Sequence, residues 1–170
     1  MVKMEIVRRI RSNFNTFAEV KLFIQILSLL TVLPLLVKLL SLPRLMNVLT
    51  PGDLRQHKNQ DIEKVVKFTD YILSCNLWIY KSTCLKRSLV LYHFLRKFGI
   101  NVHICFGVKY DEKLPDREPQ KRKLEGHAWL LRNGDIFLER NVEMAKTYKV
   151  TYCFPERNDQ IVQEAILKRS

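Results

Sequence analysis

A cysteine at the start of one predicted helix and a histidine on a later predicted strand constrain this chain more than any other feature. Ser82 or Thr83 is a candidate N-cap, and apolar residues then recur at helical spacing as far as Gly99, so Cys84 lies in the first turn. The run Gly126-His127-Ala128-Trp129 follows in a segment with strand composition. A helix start and a strand must therefore meet if the two side chains are to act together.

Cys84 and His127 are the two parts that a cysteine nucleophile requires. The thiolate is the reactive species, and the N-terminus of a helix stabilises its negative charge. An imidazole within hydrogen-bond reach takes the thiol proton and later returns it to a leaving group. The alternatives are an inert buried cysteine and a structural histidine, which are common in proteins. Together, however, the two residues predict nucleophilic chemistry.

The hairpin around Asn133-Gly134 decides whether an acid faces the histidine. A two-residue loop would pair Ala128 with Glu139 and place Glu139 on the face opposite His127. A three-residue loop over residues 132–134 would pair His127 with Glu139. Only the second register gathers one uniformly apolar face, which comprises Ala128, Leu130, Ile136 and Leu138. We therefore predict the second register, in which Glu139 orients His127 and stabilises its protonated form.

The remaining cysteines and histidines are predicted to be structural. No two of the four cysteines have C-x-x-C spacing, which argues against a zinc site, and they are too scattered for a disulfide framework. Reduced thiols in the cytosol are therefore expected. Asp135 is expected to serve only the turn. The residues interpreted as structural are Cys75, Cys105, Cys153, His57, His93 and His103.

The most apolar stretch covers residues 22–42 and predicts an N-terminal helix with a narrow polar stripe. Pro34 is expected to kink or split this helix. Three interpretations remain open, in decreasing order of preference: a core or partner-docking helix, an interfacial membrane helix, and a transmembrane span. A turn signal at residues 50–53 suggests a helical extension over residues 1–50 and a globular domain over residues 51–170.

The rest of the chain predicts an α+β fold. Residues 61–77 have helical spacing, residues 101–108 have the composition of a buried strand, and residues 109–124 form a charged loop. The net charge of +12 comes without a nucleic-acid-binding motif, so no nucleic acid is expected as a partner. An acidic peptide, an anionic membrane surface or a solvated basic surface fits the charge.

Four runs of sequence closely resemble the lasso-peptide leader peptidases, the transglutaminase-like processing proteins of ribosomally made, threaded bacterial peptides. They are residues 84–91 (CLKRSLVL), 98–100 (FGI), 104–108 (ICFGV) and 126–129 (GHAW). The resemblance is dense over residues 62–139, and an apolar N-terminal helix is also usual in that family. The C-L-x-R-S and H-A-W elements together make the match fairly specific.

The resemblance implies a papain/transglutaminase-like cysteine protease fold and a Cys-His-Asp triad that cuts the leader from its precursor, without a metal or cofactor. Cys84 and His127 match the first two positions, and Glu139 stands where the family usually has aspartate. It also implies a small leader-recognition protein and an ATP-dependent cyclase as partners. The expected reduced thiols, and not the resemblance, predict a cytoplasmic location, and the apolar residues 22–42 leave membrane contact open. An acyltransferase on the same triad and a non-catalytic peptide- or membrane-binding scaffold are the alternatives. The backbone N–H of Cys84 and the side chain of Asn76 are candidate oxyanion donors.

Overall fold

The computed structural model describes residues 16–52, 60–75, 83–110 and 124–155, and His57 and Asn76 lie outside these ranges. In the described part of the chain before residue 100 the regular elements are helices, and four strands and one short helix follow. The helices are α1 (Phe17–Leu39), α2 (Leu42–Leu49), α3 (Gln60–Ser74), α4 (Cys84–Lys97) and α5 (Val142–Lys146). The strands are β1 (His103–Tyr110), β2 (Leu124–Arg132), β3 (Asp135–Phe137) and β4 (Lys149–Phe154).

Helix α1 contains the whole predicted apolar segment up to Leu39. Its inward face buries Ile26, Leu30 and Leu33 in the main core, whereas the polar stripe faces outward. The expectation that Pro34 would split the helix is wrong, because α1 continues through it and ends only where Leu40 turns extended. Burial of Leu30 and Leu33 beside the proline compensates for the hydrogen bond that proline cannot donate.

Helix α4 lies at the centre of the main core and contacts α1, α2, α3 and the sheet. Its middle is buried on every side, which explains why the apolar residues there are not confined to one stripe. The helix ends as the sequence predicts, since Gly99 adopts a φ of 77° that favours glycine. The side chains buried along α4 include Leu89, Val90, Leu91, Tyr92, Phe94 and Leu95.

The strands form one antiparallel sheet in the order β3-β2-β1-β4. Ile104 and Leu130 belong to the main core with α4, and α4 therefore covers one face of the sheet. The other face carries a smaller cluster around Cys105, Trp129 and Ala145. Helices segregated from an antiparallel sheet are the α+β class, so the predicted class is confirmed.

The predicted register of the hairpin is wrong. Arg132 pairs with Asp135 and Leu130 with Phe137, so the loop has two residues rather than three. Asn133 and Gly134 both have positive φ, 54° and 95°, as a tight two-residue hairpin loop requires. The prediction failed because it continued strand alternation through Leu138, whereas β3 ends at Phe137.

The expectation of reduced thiols is also wrong for two of the four cysteines. Cys105 of β1 and Cys153 of β4 are directly paired across the sheet and form a disulfide, with Cα atoms 4.1 Å apart. Cys75 and Cys84 are free. Spacing along the sequence could not reveal this pair, because strand pairing brings together residues that are distant in the chain.

Candidate active site

Cys84 is the first residue of α4, as the sequence predicts. Thr83 is the N-cap, with extended backbone and a side-chain Oγ1 that accepts a hydrogen bond from the Lys86 backbone N–H at 3.3 Å. Cys84 itself is half-buried and not part of a disulfide. The first turn of α4 contains no acidic residue. The positive end of the helix dipole is therefore available to a thiolate at Cys84.

His127 lies on β2 close to that helix start. Ser88, one turn beyond Cys84, donates a hydrogen bond from Oγ to the carbonyl oxygen of Ala128 at 2.8 Å. Residues one turn apart share a helix face, so this bond fixes the Cys84 face of α4 against the strand position next to His127. Regular helix and regular strand thus hold the two candidate residues in the same region.

The imidazole of His127 stacks against two aromatic rings. Its centroid lies 5.8 Å from that of Trp129 and 5.0 Å from that of Tyr148, with interplanar angles of 20° and 29°. Trp129 is two residues from His127 on β2 and therefore shares its strand face, whereas Tyr148 directly precedes β4. Both rings are therefore close to parallel with the imidazole and favour this orientation of its plane.

Glu139 lies beside His127 even though the predicted register is wrong. Its Oε2 is 3.6 Å from Nε2 of the imidazole, and the two side chains are only 11% and 6% exposed. This distance is a close contact rather than a hydrogen bond, and His127 Nε2 is buried without a hydrogen-bond partner. The other carboxylate oxygen, Oε1, accepts hydrogen bonds from the backbone N–H groups of Arg140 at 2.9 Å and Asn141 at 3.5 Å.

The backbone of Leu138 explains how Glu139 reaches the histidine. Leu138 has a φ of 55°, in the left-handed region, and the change of direction ends strand alternation before Glu139. The predicted proximity of His127 and Glu139 is therefore present, but it arises from an irregular residue and not from strand pairing. Asp135 is exposed at the start of β3, where its backbone is the cross-strand partner of Arg132 in the hairpin.

Tyr148 forms the more exposed rim of the site and was missed by sequence analysis. Its hydroxyl lies 3.5 Å from Oε2 of Glu125, and Lys109 Nζ lies 5.0 Å from its ring centroid. Burial raises the pKa of Tyr148, and the negative charge of the neighbouring Glu125 raises it further. Nothing in the sequence spacing ties Tyr148 to His127, because β4 pairs with β1 and not with β2.

The structure brings His127 and Glu139 into contact, and the Ser88–Ala128 hydrogen bond holds the helix face that begins at Cys84 against the strand position next to His127. No hydrogen bond joins the Cys84 thiol to the His127 imidazole, although the structure describes both residues. Hydrogen bonds of this kind are often long before substrate binds. Among the described residues, no group of three His, Cys, Asp or Glu side chains could hold a metal ion. The arrangement suits acyl transfer through a thioester.

The predicted structural histidines make backbone contacts. His93 Nδ1 lies 2.8 Å from the Leu49 carbonyl oxygen and His103 Nδ1 lies 3.1 Å from that of Pro155. Burial lowers the pKa of His93, and the nearby Lys97 lowers it further, whereas the contact with Leu49 opposes the shift. Of the candidate oxyanion donors, Cys84 begins α4, and Asn76 lies outside the described residues.

Comparison with known proteins gives one match. A sequence model of the transglutaminase-like superfamily matches residues 28–153, a span that contains Cys84, His127 and Glu139. No curated protein and no solved structure matches the chain. Members of this superfamily are typically cysteine peptidases or transglutaminases, which agrees with a helix-start cysteine beside a strand histidine. Since the matched span covers most of the sequence, the chain belongs to the transglutaminase-like superfamily.

Proposed function

We propose that this chain is a cysteine peptidase that removes the leader peptide from a ribosomally made lasso-peptide precursor. Cys84 is the nucleophile, His127 moves the proton, and Glu139 orients His127. Membership of the superfamily supports the cysteine chemistry. The substrate class rests on the resemblance of residues 84–91 and 126–129 to the leader peptidases.

The observation that carries this proposal is the buried contact between His127 Nε2 and Glu139 Oε2 beside the start of α4. A carboxylate that faces Nε2 leaves Nδ1 as the nitrogen that exchanges a proton with the thiol, and closure of the 3.6 Å contact to hydrogen-bond distance would orient the ring. Stacking against Trp129 and Tyr148 favours the same ring orientation.

The reaction has two halves. First, Sγ of Cys84 attacks the scissile carbonyl carbon while His127 takes the thiol proton, and the C–N bond then breaks as His127 protonates the leaving amine. A thioester between the leader and Cys84 results. Second, a water molecule loses a proton to His127 and attacks the thioester carbon. The C–S bond breaks, and the proton returns to Cys84.

Replacement of the nucleophile tests the proposal. We expect Cys84→Ala to lower leader removal by at least about a thousandfold, because no other group can form the thioester. Cys75→Ala is the matched control, since Cys75 is the other free cysteine and lies exposed at the end of α3. Mass spectrometry follows the products, and circular dichroism confirms the fold. Full activity in folded Cys84→Ala protein would overturn the proposal.

The isotopic composition of the product separates hydrolysis from acyl transfer. Cleavage in H₂¹⁸O places one labelled oxygen in the new carboxylate of the leader if water resolves the thioester. An amide on the leader, formed with an added primary amine in place of the carboxylate, would favour the acyltransferase alternative. A chain that binds the precursor but forms neither product would favour a non-catalytic scaffold.

We also propose that cleavage depends on a small leader-recognition protein, and that an ATP-dependent cyclase acts on the released core peptide. A tethered leader would reach an effective concentration on the order of millimolar near Cys84. The chain alone should then cleave precursor slowly, and addition of the leader-binding partner should accelerate it. Equal rates below saturation, with and without the partner, would show that this chain recognises the leader itself.

The proposed location is cytoplasmic, with peripheral membrane contact through α1. Helix α1 is long and apolar enough to cross a membrane, although core helices and signal sequences meet the same criterion. Release from membranes by a carbonate wash would support peripheral contact, and resistance would favour a span. The disulfide between Cys105 and Cys153 argues against a reducing cytosol, so counting thiols in unfolded protein isolated from cells tests this location. Four free thiols would support it, and two, Cys75 and Cys84, would overturn it.

A further inference from the structure

Arg87 is a charged residue on the buried face of α4, and its partners lie on two other segments. Its Nε and Nη2 donate to the two carboxylate oxygens of Asp70, on α3, at 2.7 and 3.3 Å. Its Nη1 donates to the carbonyl oxygen of Leu138 at 2.6 Å. A guanidinium provides donors in a rigid planar fork, so one side chain can fix both partners at once.

The segment that Arg87 holds is the one that carries the acid. Leu138 has the left-handed φ of 55°, a conformation that is strained for an L-residue and persists only when the surroundings impose it. Asp70, held by Arg87, also forms an ion pair with Arg140, with 2.9 Å between Oδ1 of Asp70 and Nη2 of Arg140. The residues on both sides of Glu139 are thus bound to the same arginine–aspartate pair.

We infer that Arg87 is a positioning residue that holds Glu139 against His127 through the carbonyl oxygen of Leu138. This inference rests on the proposed function, because it assigns a role within the same triad. Arg87 follows Cys84 within the first turn of α4. The helix that presents the nucleophile therefore also sets the position of the acid, and movement of one would carry the other with it.

A role of Arg87 in stability alone can be distinguished by experiment from a role in positioning Glu139. A buried arginine–aspartate pair that served only stability would change the free energy of unfolding and leave the chemistry of folded protein unchanged. A positioning role also alters the reactivity of Cys84, because the imidazolium that accompanies the thiolate loses its oriented carboxylate. The pH dependence of Cys84 reactivity distinguishes the two.

The test uses iodoacetamide and needs no precursor. In Cys75→Ser protein, Cys84 is the remaining free thiol, because Cys105 and Cys153 are disulfide-bonded. The alkylation rate of Cys84 is measured from about pH 5 to 9 in three proteins. They are the Cys75→Ser parent and the same protein with either Arg87→Met or Glu139→Gln added. Thermal unfolding of each variant confirms that folded protein reacts.

We expect Arg87→Met to lower the alkylation rate at about pH 6 by roughly fivefold to tenfold, close to the effect of Glu139→Gln. The double variant should lose no more than about twofold beyond Glu139→Gln alone, since both changes act through one contact. Arg96→Met is the matched control. Arg96 lies at the other end of α4 and donates to Asn101, so its loss should leave the profile unchanged.

Arg140→Gln provides a second variant if Arg87→Met does not fold. The Arg140 side chain is mostly exposed, so its removal leaves no buried charge unpaired, and we expect a smaller loss of about twofold at the same pH. The inference would be overturned, and the triad left intact, if Glu139→Gln shifted the pH profile of alkylation while Arg87→Met or Arg140→Gln kept the parent profile. An unchanged profile in Glu139→Gln would overturn the triad itself.

Discussion

The start of α4 and the segment of residues 138–141 both contribute to the candidate active site, but they are built in opposite ways. Cys84 is placed by a capped helix whose hydrogen bonds repeat along the backbone, and His127 by a strand in a regular ladder. Glu139 is placed by an irregular segment with a left-handed leucine and side-chain bonds from Arg87. Local pattern determines the first region, whereas contacts between distant residues determine the second.

The largest effect that tests this difference concerns the two acids near the hairpin. We expect Glu139→Gln to lower turnover by roughly a thousandfold or more, because the imidazole loses the carboxylate that orients it. Asp135→Asn, in the regular hairpin, should change turnover by less than about twofold. Rates of precursor cleavage at saturating substrate provide the measurement.

Glu139→Asp adds a conservative change to the comparison of Glu139→Gln with Asp135→Asn. Aspartate is the usual residue at this position in the leader peptidases that the sequence resembles. The shorter side chain should retain part of the activity, because a carboxylate is still present but cannot reach as far. Turnover unaffected by Glu139→Gln would mean that the irregular segment does not serve the reaction. The third member of the triad would then lie elsewhere.

The same difference explains which features could be predicted from the sequence. The N-cap Thr83, the helix start at Cys84 and the stop at Gly99 follow from local residue preferences, and all are present. The register of the hairpin could not be obtained from alternation, because the left-handed Leu138 interrupts it. The disulfide, the stacking of Tyr148 and the bonds of Arg87 depend on pairing between distant segments.

A glycine in the regular half of the site tests how tightly the sheet holds His127. A Cβ at Gly107 would lie 2.7 Å from Cη2 of Trp129, the ring that stacks on His127, and 2.9 Å from the carbonyl oxygen of Lys149. We expect Gly107→Ala to destabilise the protein by about 1 to 3 kcal/mol through this overpacking. It should also lower turnover, since Trp129 must move away from the imidazole.

Gly126→Ala is the matched control for Gly107→Ala. Gly126 directly precedes His127, but a Cβ there would meet nothing within 4 Å. Chemical denaturation of both variants should therefore show a loss of stability only at Gly107. Equal stability of the two would indicate that Trp129 can shift without cost, and that the stacking on His127 is loose.

Gly134, in the hairpin turn, tests whether the hairpin contributes to stability without contributing to turnover. Gly134 has a φ of 95°, which L-residues rarely adopt, although a Cβ would have open space around it. Gly134→Ala should cost about 1 to 2 kcal/mol of stability through backbone strain. Turnover of the folded variant should stay unchanged, because Arg87 and not the hairpin fixes the 138–141 segment. A large loss of turnover would show that the hairpin also positions Glu139.

The smallest expected effect lies at the far end of α4 and is a pH dependence of stability. Burial lowers the pKa of His93 in the folded state, so the unfolded chain binds a proton first as the pH falls below about 6.5. The contribution of His93 is therefore fully present above that pH and is lost progressively as the pH falls toward the lowered value. His93→Gln removes the titrating group but can still bond to the Leu49 carbonyl. Chemical denaturation between about pH 5 and 7.5 should show a shallower acid loss in His93→Gln than in the parent protein. The same loss in both would mean that His93 is protonated in the fold as readily as in the unfolded chain, and that its contact with Leu49 tolerates the charge.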